Sequence, residues 1–216
     1  MREILKNLYG ITEYKSLDEK EFAFLENKFG AIPGKLREFY SLCGHCRNVI
    51  YGHDNWIMPD EYMDYRQTEK DDSGNMVIFS ENQGVCRAVI LKEDLVKDDP
   101  PVYIIDGSEE SPYLSTDDLE DFIKSSLVYE FVMSTYEKIS ELAKADYDKV
   151  CERLEKLPFS FNWGSRLYLF KNAPDSAAVV VEISEEKYYL LFGAANPVSY
   201  DKISAVLDGI GTETML

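Results

Sequence analysis

The sequence predicts an α+β fold, and three observations carry that prediction. Apolar residues recur at helical spacing between residues 19 and 43. Continuous or alternating apolar runs then mark strands at 76–79, 85–91, 102–105, 167–170, 177–183 and 188–192. Helices and strands come in blocks, which argues against an alternating βαβ array and for a mostly antiparallel sheet flanked by helices.

The elements follow in order. Ser16-Leu17-Asp18-Glu19 has the capping-box pattern, in which a hydroxyl and a carboxylate satisfy orphan backbone donors. Phe22, Leu25 and Phe29 follow on one helical face, and Gly30 stands where a helix ends. Pro33 opens a second helix with the apolar face Leu36, Phe39, Tyr40 and Cys43, stopped by Gly44. Residues 49–57 read as irregular or as a short strand.

Met76-Val77-Ile78-Phe79 is a strand, Ser80-Glu81-Asn82-Gln83-Gly84 a polar turn, and Val85 to Leu91 a strand apolar on both faces. Pro100-Pro101 enters the strand Val102-Tyr103-Ile104-Ile105, ended by Asp106-Gly107. Ser115 or Thr116 caps a helix through Leu119, Phe122 and Ile123, and helical pattern continues, with a break, to Leu157 before Pro158. Three antiparallel strands come next, with Glu185-Glu186 turning between the last two. Ser199 caps a final helix through Ile203, Val206 and Leu207.

Composition narrows the function classes. The 216 residues are 45% hydrophobic and 29% charged, ordinary usage for a globular chain with its own core. Four Cys are too few for a disulfide scaffold, and no apolar run approaches the roughly 18 residues of a membrane span. The expected location is the cytoplasm, with reduced thiols. The net charge of −17 disfavours nucleic acid and anionic membranes, and favours a basic partner. Between Glu93 and Asp121, eleven acids face the single base Lys97. A solvated rim and a partner-binding surface both fit this stretch. A calcium loop lacks its D-x-[DN]-x-[DN]-G spacing.

Catalytic patterns are sparse. Cys43-Gly44-His45-Cys46 has redox spacing, but it follows a helix, and a helix C-terminus raises a thiol's pKa. A zinc site would need Cys43, His45, Cys46 and then His53 or Cys86, without a second C-x-x-C. Phosphate-binding glycine loops, nucleophile elbows and H-E-x-x-H are absent. No catalytic residue, metal or cofactor is expected.

Four ordered motifs over residues 16–124 resemble the SUKH superfamily, in its Smi/Knr branch. They are Phe29-Gly30-Ala31-Ile32-Pro33 with Leu36-Arg37-Glu38-Phe39-Tyr40 and Gly44; Val77 to Val85 around Glu81-Asn82-Gln83-Gly84; Asp99-Pro100-Pro101-Val102-Tyr103; and Ser115 to Phe122. Arg87-Ala88 departs from the family's usual aromatic after the second motif. The resemblance implies a SUKH-like domain over residues 1–130 and an extension over 131–216, with further strands and a helix. It implies a non-enzymatic bacterial immunity protein that binds a cognate toxin, a basic nuclease domain being the expected partner; the fungal branch suggests a scaffold or regulator instead. Gly30, Pro33, Gly84, Pro100 and Pro101 are read as scaffold residues. The candidate partner-binding residues are Glu81, Asn82, Asp99, Asp106, Glu109 and Glu110.

Overall fold

A computed structural model describes residues 1–63, 74–106 and 112–214. The α+β class is borne out: the described elements are helices and two antiparallel sheets. The chain divides into two compact units, residues 13–123 and residues 1–12 with 124–216. Position 130, the boundary expected from the sequence, lies within one unbroken helix, Leu119–Thr135.

In the unit of residues 13–123, α2 (Glu19–Phe29) is capped by Asp18, not Ser16. The Asp18 carboxylate accepts from the amides of Lys20 (2.8 Å) and Glu21 (2.9 Å), and the Glu21 carboxylate accepts from the Asp18 amide (2.7 Å). The box is shifted by two residues because Lys15 and Leu17 are already engaged. Their amides donate to the carbonyls of Leu42 and Tyr40, at the end of α3 (Gly34–Cys43). The Leu42 carbonyl is one that the helix terminus would leave orphaned, while the Tyr40 carbonyl also accepts from the Gly44 amide at 3.0 Å. Leu36, Phe39, Tyr40 and Cys43 form the buried face of α3, as its spacing predicts. Gly44 follows because nothing larger fits: a Cβ there would lie 2.7 Å from both the Leu17 side chain and the Tyr40 carbonyl.

After the short helix α4 (Arg47–Ile50), five strands form an antiparallel meander: β1 (Asn55–Trp56), β2 (Met76–Ser80), β3 (Cys86–Ile90), β4 (Val102–Asp106) and β5 (Tyr113–Thr116). Every residue of β2 is buried, in line with its continuous apolar run. Val85, expected inside β3, instead lies in the preceding turn and is 58% exposed. Ser115 and Thr116, expected as helix caps, end β5; Asp118 caps the helix that follows, α5 (Leu119–Thr135), by accepting from the Asp121 amide at 2.7 Å. The core of this unit is a ring cluster. Trp56 meets Phe39 at 4.3 Å, Phe79 at 5.2 Å and Phe122 at 6.0 Å between centroids, in tilted and edge-on arrangements that aromatic quadrupoles favour.

The other unit begins with α1 (Arg2–Tyr9), whose Tyr9 hydroxyl donates to the Leu127 carbonyl on α5 at 2.7 Å. Its sheet has the order β11-β6-β10-β9-β8-β7. The strands are β6 (Ile139–Ala143), β7 (Glu155–Trp163), β8 (Ser165–Ala173), β9 (Ser176–Ser184), β10 (Lys187–Ala194) and β11 (Thr212–Thr214), with α6 (Lys144–Arg153) and α7 (Pro197–Leu207) between them. The three antiparallel strands expected from the sequence are β8, β9 and β10, and Glu185-Glu186 turns between the last two.

Two expectations fail here. Residues 139–143 and 155–157 are strand, not helix, because β6 pairs with β10 along its length and β7 with β8. Sheet pairing overrides local helix pattern. Pro158 lies within β7, where the register shifts between Lys156 and Ser160 on an edge strand, so its missing N–H breaks no regular ladder. Asn196, rather than Ser199, caps α7, accepting from the Ser199 amide at 3.0 Å; the Ser199 hydroxyl donates to Asp175 at 2.6 Å. Among the described residues, no helix is long and apolar enough to cross a membrane.

Gly44→Ala is expected to destabilise the protein by about 1–3 kcal/mol, since the added methyl meets a backbone carbonyl that cannot rotate away. Urea unfolding measures it; a loss under about 0.5 kcal/mol would refute the close approach.

Candidate partner-binding surface

The turn between β2 and β3 is closed by its own first residue. The Glu81 carboxylate accepts from the amides of Gln83 (2.9 Å) and Val85 (3.1 Å), and the Glu81 carbonyl accepts from the Gly84 amide (2.8 Å). Gly84 has φ +73°, a conformation that strains a residue bearing a Cβ. The Asn82 amide donates to the carboxylate of Asp54 at 3.1 Å, and Asp54 is fully buried. Glu81 thus serves as a turn clasp, and the exposed parts of this motif are Asn82, Gln83 and Val85.

Asp106 ends β4 directly opposite Cys86 in register, at the same end of the sheet as this turn. The Cys86 thiol registers the gathering of acids: its pKa is raised by burial first, then by the charges of Asp106, Glu81 and Asp54. The sequence gives no sign of Asp54's burial, because it lies in the polar run Gly52-His53-Asp54-Asn55.

Asp99 belongs elsewhere. It precedes β4, whereas Asp106 ends it, and a strand of that length separates the two by roughly 13 Å or more. Its carboxylate accepts from the Glu120 amide at 2.9 Å in the first turn of α5. The neighbouring Asp98 carbonyl accepts from the Lys35 amide at 3.0 Å in the first turn of α3, and Lys35 pairs with Glu120 at 2.6 Å. Asp98 and Asp99 therefore tie together the N-termini of two helices, where acceptors are favoured. Burial raises the Asp99 pKa; the Glu120 amide opposes that shift, and the charge of Asp118 adds to it. Of the six candidate residues, Glu81, Asn82 and Asp106 come together, Asp99 stands apart, and Glu109 and Glu110 lie outside the described residues.

The surroundings of the Cys43 thiol do not activate it. Cys43 is the last residue of α3, fully buried, with its sulfur 3.3 Å from the Phe39 carbonyl. Burial and then the charge of Cys46 push its pKa far up, so the nucleophilic thiolate is suppressed at neutral pH. His45 spends its Nε2 on Glu21 at 2.9 Å. Among the described residues, no group of three or more His, Cys, Asp or Glu side chains is arranged to hold a metal ion.

Charge is unevenly shared between the units. Residues 13–123 hold 11 Lys and Arg against 25 Asp and Glu, a net −14; the rest of the chain holds 12 against 15, a net −3. No protein-family model matches the chain, and neither a curated protein nor a solved structure matches it.

Asp99→Asn keeps an acceptor for the Glu120 amide and removes a carboxylate whose charged form burial disfavours. A raised carboxyl pKa makes stability fall as pH rises from the ordinary carboxylate value of 3.8 through the raised one. Asp99→Asn is therefore expected to preserve stability at pH 7, and Asp99→Ala to lose about 1 kcal/mol. Equal losses for both variants in chemical denaturation would overturn this role.

Proposed function

We propose that the protein is a non-enzymatic immunity protein that binds the effector domain of a cognate toxin and blocks its substrate groove. The observation that carries the reading is the concentration of charge, net −14, in residues 13–123. A nuclease must present cations to the phosphate backbone, so an acidic surface competes for the same groove. Opposite fields also accelerate association, as a protective protein requires. The SUKH-like motifs support the assignment, since they coincide with this acidic unit. The turn motif acts through its rim of Asn82, Gln83 and Val85, and the adjoining acids supply the field. Glu81 and Asp99, which clasp backbone amides, serve as scaffold.

The test is capture of the partner from the host's lysate at low and high salt, followed by inhibition of its activity at a 1:1 ratio with the purified protein. A basic toxin domain released as salt rises, and inhibited stoichiometrically, is the expected result. A captured regulatory protein with no toxic activity would favour the scaffold class.

Two variants sharpen the reading. Glu109→Lys with Glu110→Lys is expected to slow association about tenfold at low salt, while Glu185→Lys with Glu186→Lys, outside the acidic unit, leaves it unchanged. Stopped-flow kinetics measure both, and equal rates for the two pairs would remove the acidic stretch from the interface. Cys43→Ser with Cys46→Ser is expected to leave the partner's Kd unchanged; a loss of binding with the fold intact would restore a role for the thiols.

A further inference from the structure

Two exposed loops meet at the end of the five-stranded sheet that carries the β2–β3 turn. Tyr51 pairs with Asn55 in an antiparallel bridge, and Asn55 pairs with Ser80, the last residue of β2. Facing residues in such a ladder stand about 5 Å apart, so the Tyr51 backbone lies roughly 10 Å from the start of the turn. A binding footprint of about 800 Å² is roughly 30 Å across and takes in both loops.

Asp54 holds the two loops in one arrangement. Its carbonyl accepts from the Gly52 amide at 3.1 Å within its own loop, and its carboxylate accepts from the Asn82 amide at 3.1 Å in the turn. A carboxylate is costly to bury, and this one is fully buried at the junction between two surface loops. A surface fixed in advance loses less conformational entropy when a partner arrives.

The exposed residues have the composition of a recognition surface. Tyr51 is 43% exposed and Val85 58%, with Gly52, His53, Asn82 and Gln83 exposed on the same two loops. Single exposed apolar side chains are ordinary, but here an aromatic and an aliphatic one share a fixed framework. Tyrosine gives a large contact area with few rotatable bonds, and Gly and Asn supply adaptable hydrogen bonding.

Charge selects the partner. Segments 47–61 and 81–87 carry Asp54, Asp60, Glu61 and Glu81 against Arg47 and Arg87. After burial, Glu61 and Asp60 raise the Tyr51 pKa, while Arg47 opposes them from 6.0 Å, the outer limit of a cation–π contact. The phenol thus lies in a net negative field that suits a cationic side chain on its face.

We propose that Tyr51 and Val85 anchor the partner-binding surface, with a lysine or arginine of a basic protein domain stacked on the Tyr51 ring and its backbone bonded by Asn82 and Gln83. This rests on the immunity reading and divides the labour: these loops make the short-range contacts, and the acids of residues 93–121 act at long range.

The probe is the basic domain that the unaltered chain captures from the host's lysate, with both rate constants measured by surface plasmon resonance. Tyr51→Ala is expected to raise Kd about a hundredfold and Val85→Ser about tenfold, both through faster dissociation at low and at high salt. Val198→Ser, at a comparably exposed valine of the other unit, should change neither rate. Asp54→Asn, which keeps an acceptor for the Asn82 amide, should hold Kd within about threefold, whereas Asp54→Ala should raise it about tenfold and speed amide exchange at Asn82. A toxin domain that Tyr51→Ala and Val85→Ser still bind within about twofold and inhibit stoichiometrically overturns these loops as the interface and leaves the immunity reading standing. A basic partner without toxic activity whose binding needs Tyr51 keeps the surface and removes the immunity reading. Capture of no basic protein at low salt overturns both.

Discussion

Hydrogen bonds from backbone amides to carboxylates organise the acidic unit. Asp18 starts α2, Asp118 starts α5, Asp99 reaches the first turn of that same helix, Glu81 closes the β2–β3 turn, and buried Asp54 receives the amide of Asn82. Each gives a partner to a backbone donor that a helix start or a turn leaves orphaned, and the donors that Asp54, Asp99 and Asp118 receive are also partly buried. Charge-assisted bonds of this kind are stronger than neutral ones, so a chain rich in acids can hold irregular backbone with them. Part of the acid content thus also serves the architecture, and because the donors are neutral amides each carboxylate keeps its charge and still contributes to the field.

This dual use bears on what was legible in the sequence. Helical faces such as Leu36, Phe39, Tyr40 and Cys43 were readable because burial imposes their spacing directly. The strands β8 to β10 were readable because short turns separate apolar runs. β6 was not, since Ile139-Ser140-Glu141-Leu142-Ala143 becomes a strand through its pairing with β10, a partner more than forty residues away. The caps at Asp18 and Asn196 were displaced from Ser16 and Ser199 for a related reason: several polar residues near each helix start satisfy the local rule, and tertiary hydrogen bonds choose between them.

The candidate site was legible as chemistry but not as a place. The motif residues Glu81 and Asp99 stand out in the sequence, yet they belong to opposite ends of one sheet and turn inward to backbone groups. The field has a different origin, in the sum of many acids over residues 13–123. Composition reveals such a sum more readily than any single motif does. The contrast with the nearly neutral remainder of the chain becomes visible once the two units are delimited, because the first helix joins the C-terminal residues across more than a hundred positions.

The irregular stretch around Pro158 has a further consequence. An exposed strand edge is a template on which another extended chain can add itself, giving recognition or aggregation through main-chain pairing alone. On β7 that template is interrupted where a residue with no N–H coincides with the shifted register, and at the opposite edge the described part of β11 is three residues long. The six-stranded sheet is thereby defended against growth from either side. Selective encounters with other molecules are left to side chains and shape, which discriminate between partners where an open edge would not.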